Sequence, residues 1–113
     1  MSSHYLRNIK LSKIDLSIII VNYKCWDVLA RCIDSFNKYK PHTNYEIIIV
    51  DNDSQDGKFN SFQQQFHEIK LIANKGNYGF SSACNLGADN AKGDFLLFLN
   101  PDVTLTSSPA IDE

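Results

Sequence analysis

In Gly93-Asp94-Phe95-Leu96-Leu97-Phe98-Leu99-Asn100-Pro101-Asp102, an apolar run from Phe95 to Leu99 stops abruptly at Asn-Pro-Asp. A short apolar run without alternation reads as a strand covered on both faces, the pattern of a parallel sheet. Pro101 has no N–H for a ladder and ends the strand. Asp102 is therefore expected just past the carboxyl end of a buried parallel strand. In open α/β sheets, that is where ligands bind.

Working outward, the same pattern recurs upstream. Ser17 opens a first strand, Ile18-Ile19-Ile20-Val21, β-branched throughout and ending at Asn22-Tyr23. It is expected in the middle of the sheet. From Trp26 to Lys40, Val28, Leu29, Cys32, Ile33 and Phe36 share one helical face. Asp27 sits at the end of that helix that favours negative charge, and Pro41 should terminate it. Tyr45 to Val50 is a second strand, followed by Asp51-Asn52-Asp53-Ser54, with Ser54 a candidate N-cap. Phe59, Phe62 and Phe66 mark a short second helix, and Ile69 to Ala73 a third strand. A loop from Asn74 to Gly79 leads to a helix over 80–92. Its small residues, including Ala83, Gly87, Ala88 and Ala91, allow close approach to the sheet. Gly93 fits the left-handed position after that helix.

The order is β-α-β-α-β-α-β. Short connections and right-handed crossovers reduce the topologies to a few. The simplest is a Rossmann-like α/β half with a parallel sheet in the order 3-2-1-4 and helices on its faces. The winding then reverses between the first and fourth strands. Asn22-Tyr23, Asp51 and Asn100-Pro101-Asp102 converge on one crevice. A carboxylate there, with few basic neighbours, suits a divalent cation that in turn holds a diphosphate. Asp102 is the candidate ligand, with Asn100 able to add an amide oxygen; the alternative is that Asp102 only shapes a turn after Pro101. Asp51 could accept from a base or ribose, or could cap the following segment. Tyr23 and Trp26 could stack on a base, although Trp26 at a helix start also reads as a packed aromatic. The loop before the third helix could offer N–H groups to an anion.

Bulk properties narrow the class. The chain has 113 residues, enough for one small domain, and a net charge of −2. That charge gives no electrostatic case for nucleic acid. No apolar run approaches a membrane span, and Met1 to Asp15 lacks the apolar core of a signal peptide. The cysteines Cys25, Cys32 and Cys84 have no pairing or metal spacing and suit reduced thiols. A cytoplasmic location is expected, membrane-peripheral in a longer protein. His4, His42 and His67 are scattered and read as surface residues. Asn52-Asp53-Ser54 matches a glycosylation sequon and reads as chance without a secretory signal. There is no Walker ending, no G-x-G-x-x-G after the first strand and no G-x-S-x-G.

Four stretches, taken in order, carry a resemblance: Ser17 to Tyr23, Glu46 to Gly57, Asn74 to Phe80 and Ala91 to Asp102. Together they resemble the donor-binding half of family 2 glycosyltransferases with the GT-A fold. The likeness spans 17–105 as a nucleotide-sugar-binding half-domain, with 1–16 a lead-in and 106–113 a short tail. It implies a nucleoside-diphosphate sugar as donor and a hydroxyl on a saccharide or lipid-linked acceptor, as in cell-surface polysaccharide or glycolipid assembly. By the resemblance, Asp51 contacts the base, Asn22 and Tyr23 line the base and ribose pocket, and Asn77 to Gly79 lie beside the nucleotide. Asp102 matches the last residue of the family's Asp-x-Asp motif, the ligand of Mn²⁺ or Mg²⁺. Asn100 replaces the first Asp, a variant similar to that of rhamnosyltransferase-like members, and this weakens the case for strict metal dependence.

The resemblance also implies a general base in the half after the motif. Asp112 and Glu113 are too close to Asp102 to match it, so no catalytic residue is assigned. The expectation is a fragment that transfers little sugar alone. Its fourth strand would be an exposed edge, prone to self-association through 94–100. A nucleotidyltransferase would want a basic Gly-rich loop after the first strand, where Asn22-Tyr23-Lys24-Cys25-Trp26 stands instead. A receiver-like signalling module would want a phosphoacceptor Asp near Ala73.

Overall fold

A computed structural model describes residues 13–76 and 79–107. The elements alternate as expected: β1 (Leu16–Asn22), α1 (Trp26–Lys38), β2 (Tyr45–Asp51), α2 (Phe59–Gln65), β3 (Lys70–Ala73), α3 (Phe80–Asp89) and β4 (Phe95–Leu99). The four strands form one parallel sheet in the order β3-β2-β1-β4. In register, Ile20 of β1 lies between Ile49 of β2 and Leu99 of β4. The winding reverses between β1 and β4, as in the simplest of the topologies the connection rules allow.

The period of two along β1 and β2 feeds two cores. Ile18, Ile20, Ile47 and Ile49 pack with Leu29, Cys32, Ile33, Phe36 and Phe62 on the side of α1 and α2. Ile19, Ile48 and Val50 pack with Ala83 of α3 on the other side. Both faces of the two central strands are thus dry, which is why their sequences do not alternate. Burying each such isoleucine contributes roughly 1.5–3 kcal/mol. Small residues let α3 sit tightly: a Cβ on Gly87 would stand 2.6 Å from Ile19 Cγ2.

Several local expectations are corrected. α1 stops at Lys38 rather than Lys40, because Tyr39 leaves the helical conformation and its N–H closes on Ser35 O at 2.8 Å. Similarly, α3 ends at Asp89, three residues short of Lys92, with the Asn90 N–H turning back onto Gly87 O. Ser54 does not cap α2; Lys58 occupies that position, and Ser54 is committed elsewhere. Gly93 is not left-handed. Its N–H bonds Ser17 Oγ at 2.8 Å, and a Cβ there would meet Ser17 N at 2.6 Å. Glycine is required for a close crossing of the chain, not for a helix stop. Ser17 Oγ in turn donates to Glu46 Oε2 at 2.6 Å, which also accepts Lys92 N–H at 2.7 Å. This clasp fixes where β4 enters the sheet.

β4 itself is not covered on both faces. Phe95, Leu96 and Phe98 are 72%, 44% and 48% exposed. α3 packs over β1 and β2, and β4 is the outer strand beside β1.

Candidate functional site

The carboxyl ends of β2, β1 and β4 lie side by side, and the loops leaving β1, β2 and β3 are bonded to one another. Asp51, the last residue of β2, is the hub. It is 4% exposed. Its Oδ1 accepts from Asn22 Nδ2 at 3.0 Å and from Ser54 Oγ at 2.6 Å, and its Oδ2 accepts Ser54 N–H at 3.2 Å. Asn22 is fully buried, and its Oδ1 accepts Cys25 N–H at 3.2 Å. Ser54 Oγ also accepts Lys24 N–H at 2.9 Å. One carboxylate, one amide and one hydroxyl thereby hold the turn after β1 against the turn after β2. Buried polar groups that are all satisfied make a rigid support.

The loop after β3 joins the same network. Asn74 N–H bonds Asp51 O at 2.8 Å, Asn74 Nδ2 bonds Asn52 Oδ1 at 2.9 Å, and Gly76 N–H reaches Asp53 Oδ2 at 3.1 Å. Lys24, Asp53 and Gln55 adopt positive φ of 57°, 63° and 51°. Non-glycine residues in that region cost free energy and cluster at functional edges. Gly79, with φ 96°, opens α3 with open space where a Cβ would be. Asn77, the other expected residue of this loop, lies outside the described residues.

At the end of β4, Val103 N–H bonds Asn100 O at 3.2 Å and closes a turn around Pro101 and Asp102. Asn100 and Asp102 are both exposed. Asp102 lies within electrostatic reach of α1: burial pushes the Cys32 thiol up to about 11, and the negative charge of Asp102 adds to the rise. Among the described residues no three of His, Cys, Asp and Glu gather as a metal cluster. An exposed carboxylate with a neighbouring amide suits a cation that arrives with a diphosphate and keeps its waters; it does not suit a resident, protein-caged ion.

The two aromatic candidates separate. Trp26 is buried in the α1–α2 core, meets Phe62 at a tilt with ring centroids 5.1 Å apart, and donates Nε1–H to the Asp56 carboxylate at 2.9 and 3.1 Å. It is a packing residue, not a base platform. Tyr23 is 46% exposed, with Lys24 Nζ 5.2 Å from its ring centroid, and remains open to a ligand. Of the sequence candidates, Asn22 and Asp51 are brought into direct contact, below the surface. Tyr23, Asn100 and Asp102 are exposed, after the ends of the neighbouring strands β1 and β4. The alternative reading of Asp51, a cap on the segment that follows it, is what the structure shows through Ser54 N–H and Oγ. Asn52, Asp53 and Asn74 join the network through contacts between loops that no local pattern announces.

The model of the glycosyl transferase family 2 domain matches residues 17–110 of the chain. The chain belongs to glycosyltransferase family 2. Among its relatives, the poly(ribitol-phosphate) beta-glucosyltransferase of Bacillus spizizenii is 33% identical over 92 residues, 77% of this chain and 14% of that protein. The UDP-Glc:alpha-D-GlcNAc-diphosphoundecaprenol beta-1,3-glucosyltransferase WfgD of Escherichia coli is 31% identical over 88 residues, 77% of this chain and 34% of that protein. The crystal structure of S. aureus TarS 1-349 in complex with UDP superposes with a TM-score of 0.72 at 22% identity, over 84% of this chain and 29% of that one. The TarS complex with UDP-GlcNAc gives 0.69 at 23% identity, over 79% and 27%. The shared fold is that of TarS, and the family 2 chain described here spans about a third or less of these relatives. Among its described residues, no helix is long and apolar enough to cross a membrane.

Proposed function

We propose that this family 2 chain is the donor-binding part of a glycosyltransferase that moves a sugar from a nucleoside diphosphate to a hydroxyl of a saccharide or lipid-linked acceptor. The observation that carries the reading is the paired Asn22–Asp51 hub at the ends of β1 and β2, beside the exposed Asn100–Asp102 turn at the end of β4. That arrangement offers a polar floor and a negatively charged rim at the switch point of a parallel sheet. The relatives named for glucosyl transfer, and the TarS complexes with UDP and UDP-GlcNAc, support a nucleotide-sugar donor.

In this reading residues 17–105 form the donor-binding unit. Tyr23 stacks on the base. Asp51 and Asn22 set the shape of the base and ribose pocket, with Asn77 and Gly79 beside the nucleotide. Asp102, assisted by Asn100, holds a divalent cation (Mn²⁺ or Mg²⁺) on the diphosphate. When bound, that cation would neutralise charge on the departing diphosphate. The protein's own part is to place Asp102 against the diphosphate. The part proposed for these residues is donor binding, and no general base is assigned among those described. Their edge, 94–100, supports self-association. The Asn-Pro-Asp turn, similar to that of rhamnosyltransferase-like members, makes a dTDP-linked deoxysugar a donor to test beside UDP-glucose. The location proposed is cytoplasmic or peripheral to a membrane.

The test is a thermal-shift panel with UDP, GDP, dTDP, CDP and ADP, each with and without Mn²⁺, on the chain and on Asp102→Asn. A ligand that binds only the folded state raises apparent stability by mass action. A shift for one nucleotide that needs Mn²⁺ and disappears in Asp102→Asn is the expected result. A shift indifferent to Mn²⁺ would remove the cation from the reading. No shift for any nucleotide would count against the donor site itself.

A further inference from the structure

Beyond Asp102 the chain turns onto α1 and is held there by one side chain. Ser35 sits in the third turn of α1, almost fully buried. Serine is a poor choice inside a helix, because its hydroxyl competes for backbone partners. Here the hydroxyl donates to Cys32 O of its own helix at 2.6 Å and accepts the N–H of Leu105 at 2.9 Å, across 70 residues of sequence. Leu105 follows into the core on the α1 side. The turn closed by Asn100 O and Val103 N–H lies between this anchor and β4. The Asn-Pro-Asp segment is therefore fixed at two points: β4 pairing with β1 up to Leu99, and Ser35 gripping Leu105.

We propose that Ser35 is a positioning residue for donor binding: its hydroxyl anchors the chain after the Asn-Pro-Asp turn and so sets where the Asp102 carboxylate stands against the diphosphate. The inference rests on the reading of Asp102 as the diphosphate-side ligand. Its physical ground is that Asp102 is exposed, with a single carboxylate in the motif, so its placement depends on the backbone that carries it. A carboxylate moved by about 1 Å no longer matches the near-ideal distances a small divalent cation demands. Ser35 itself touches no ligand.

The experiment measures UDP and uridine affinities with and without Mn²⁺ on the chain, on Ser35→Ala, Ser35→Cys, Ser35→Thr and Asp102→Asn, and on the double variant Ser35→Ala/Asp102→Asn. Ser35→Ala should weaken Mn²⁺-dependent UDP binding roughly 10- to 100-fold, the range of supporting-residue losses at metal sites. Uridine binding should be unchanged, because uridine lacks the diphosphate. Ser35→Thr, which restores the hydroxyl, should recover UDP binding. Ser35→Cys, of similar volume but a weak acceptor, should fall between them and covers the case in which Ser35→Ala does not fold. The double variant should bind UDP no more weakly than Asp102→Asn alone, since a residue acting through another adds nothing once that one is gone. Equal losses for UDP and uridine, or full additivity in the double variant, would overturn the inference and leave the reading of Asp102 intact. An Asp102→Asn variant that binds UDP with Mn²⁺ as tightly as the parent would overturn both. So would a parent chain whose UDP affinity does not respond to Mn²⁺.

Discussion

β1 and β4 are neighbours with equally apolar sequences and opposite surroundings. Ile18, Ile19 and Ile20 of β1 are at most 1% exposed, whereas Phe95 of β4 is 72% exposed and Phe98 is 48% exposed. β1 is flanked by a strand on each side and by helices on both faces. β4 has β1 on one side, and α3 is drawn away over β1 and β2. An apolar run therefore records what a strand is suited to, and the partners supplied by the rest of the chain determine what is covered. β4 nevertheless carries the Asn-Pro-Asp turn, so the less supported strand holds the exposed half of the proposed site.

The contrast can be broken most directly by truncation. Ile19→Ala in β1 should cost about 3 kcal/mol of unfolding free energy in chemical denaturation, from lost burial plus the cavity left under Ala83. Phe98→Ala, on the same face one strand over, should cost less than about 1 kcal/mol. Similar losses for the two would mean that β4 is covered in solution. Gly93→Ala is next, at about 2 kcal/mol, because the added methyl must push against Ser17 backbone rather than a side chain able to move. A cost near zero would show that the clasp beneath β4 yields.

Self-association sharpens the contrast at a smaller scale. If β4 joins copies of the chain, Phe98→Lys should weaken the association at least tenfold in sedimentation, about 1.4 kcal/mol. A parent chain that stays monomeric at high concentration would count against the edge as an interface. The smallest effect concerns pH. The Cys32 thiol is raised from 9.0 to about 11, chiefly by burial, so the folded chain keeps its proton where the unfolded chain has lost it. Stability from this group is complete below pH 9 and declines as pH climbs towards 11. Tyr45 and Cys84 are raised for the same reason and tilt the profile the same way. In Cys32→Ala the fall of stability over that window should be shallower than in the parent; an unchanged slope would refute the assignment.

How much was legible in the sequence follows from the range of each constraint. The strands and their order were readable because unbroken β-branched runs and connection rules act locally. Asp51 and Asn22 could be placed at strand ends, but their bond to one another spans 29 residues and depends on register. Trp26 was ambiguous until Asp56, 30 residues away, was seen to take its N–H. Gly93 fits a local rule for helix ends, while the actual requirement comes from Ser17 across the sheet. The edge position of β4 follows from the strand order, but the exposure of its faces is hidden in the apolar pattern, because coverage is supplied by chain far away in sequence.

The bond between Gly93 and Ser17 joins residues 76 apart, and it has a kinetic meaning. β1, α1 and β2 can assemble from adjacent segments, whereas β4 can dock only after nearly the whole described chain has been gathered. During folding the rim residue Asp102 should reach the Asn22–Asp51 floor last, and in the finished molecule β4 should be first to leave. Amide exchange would show it as β4 protons lost well before those of β1. A nucleotide bound at the proposed site would then act as a brake on opening, slowing exchange in β4 far more than in the strands already secured.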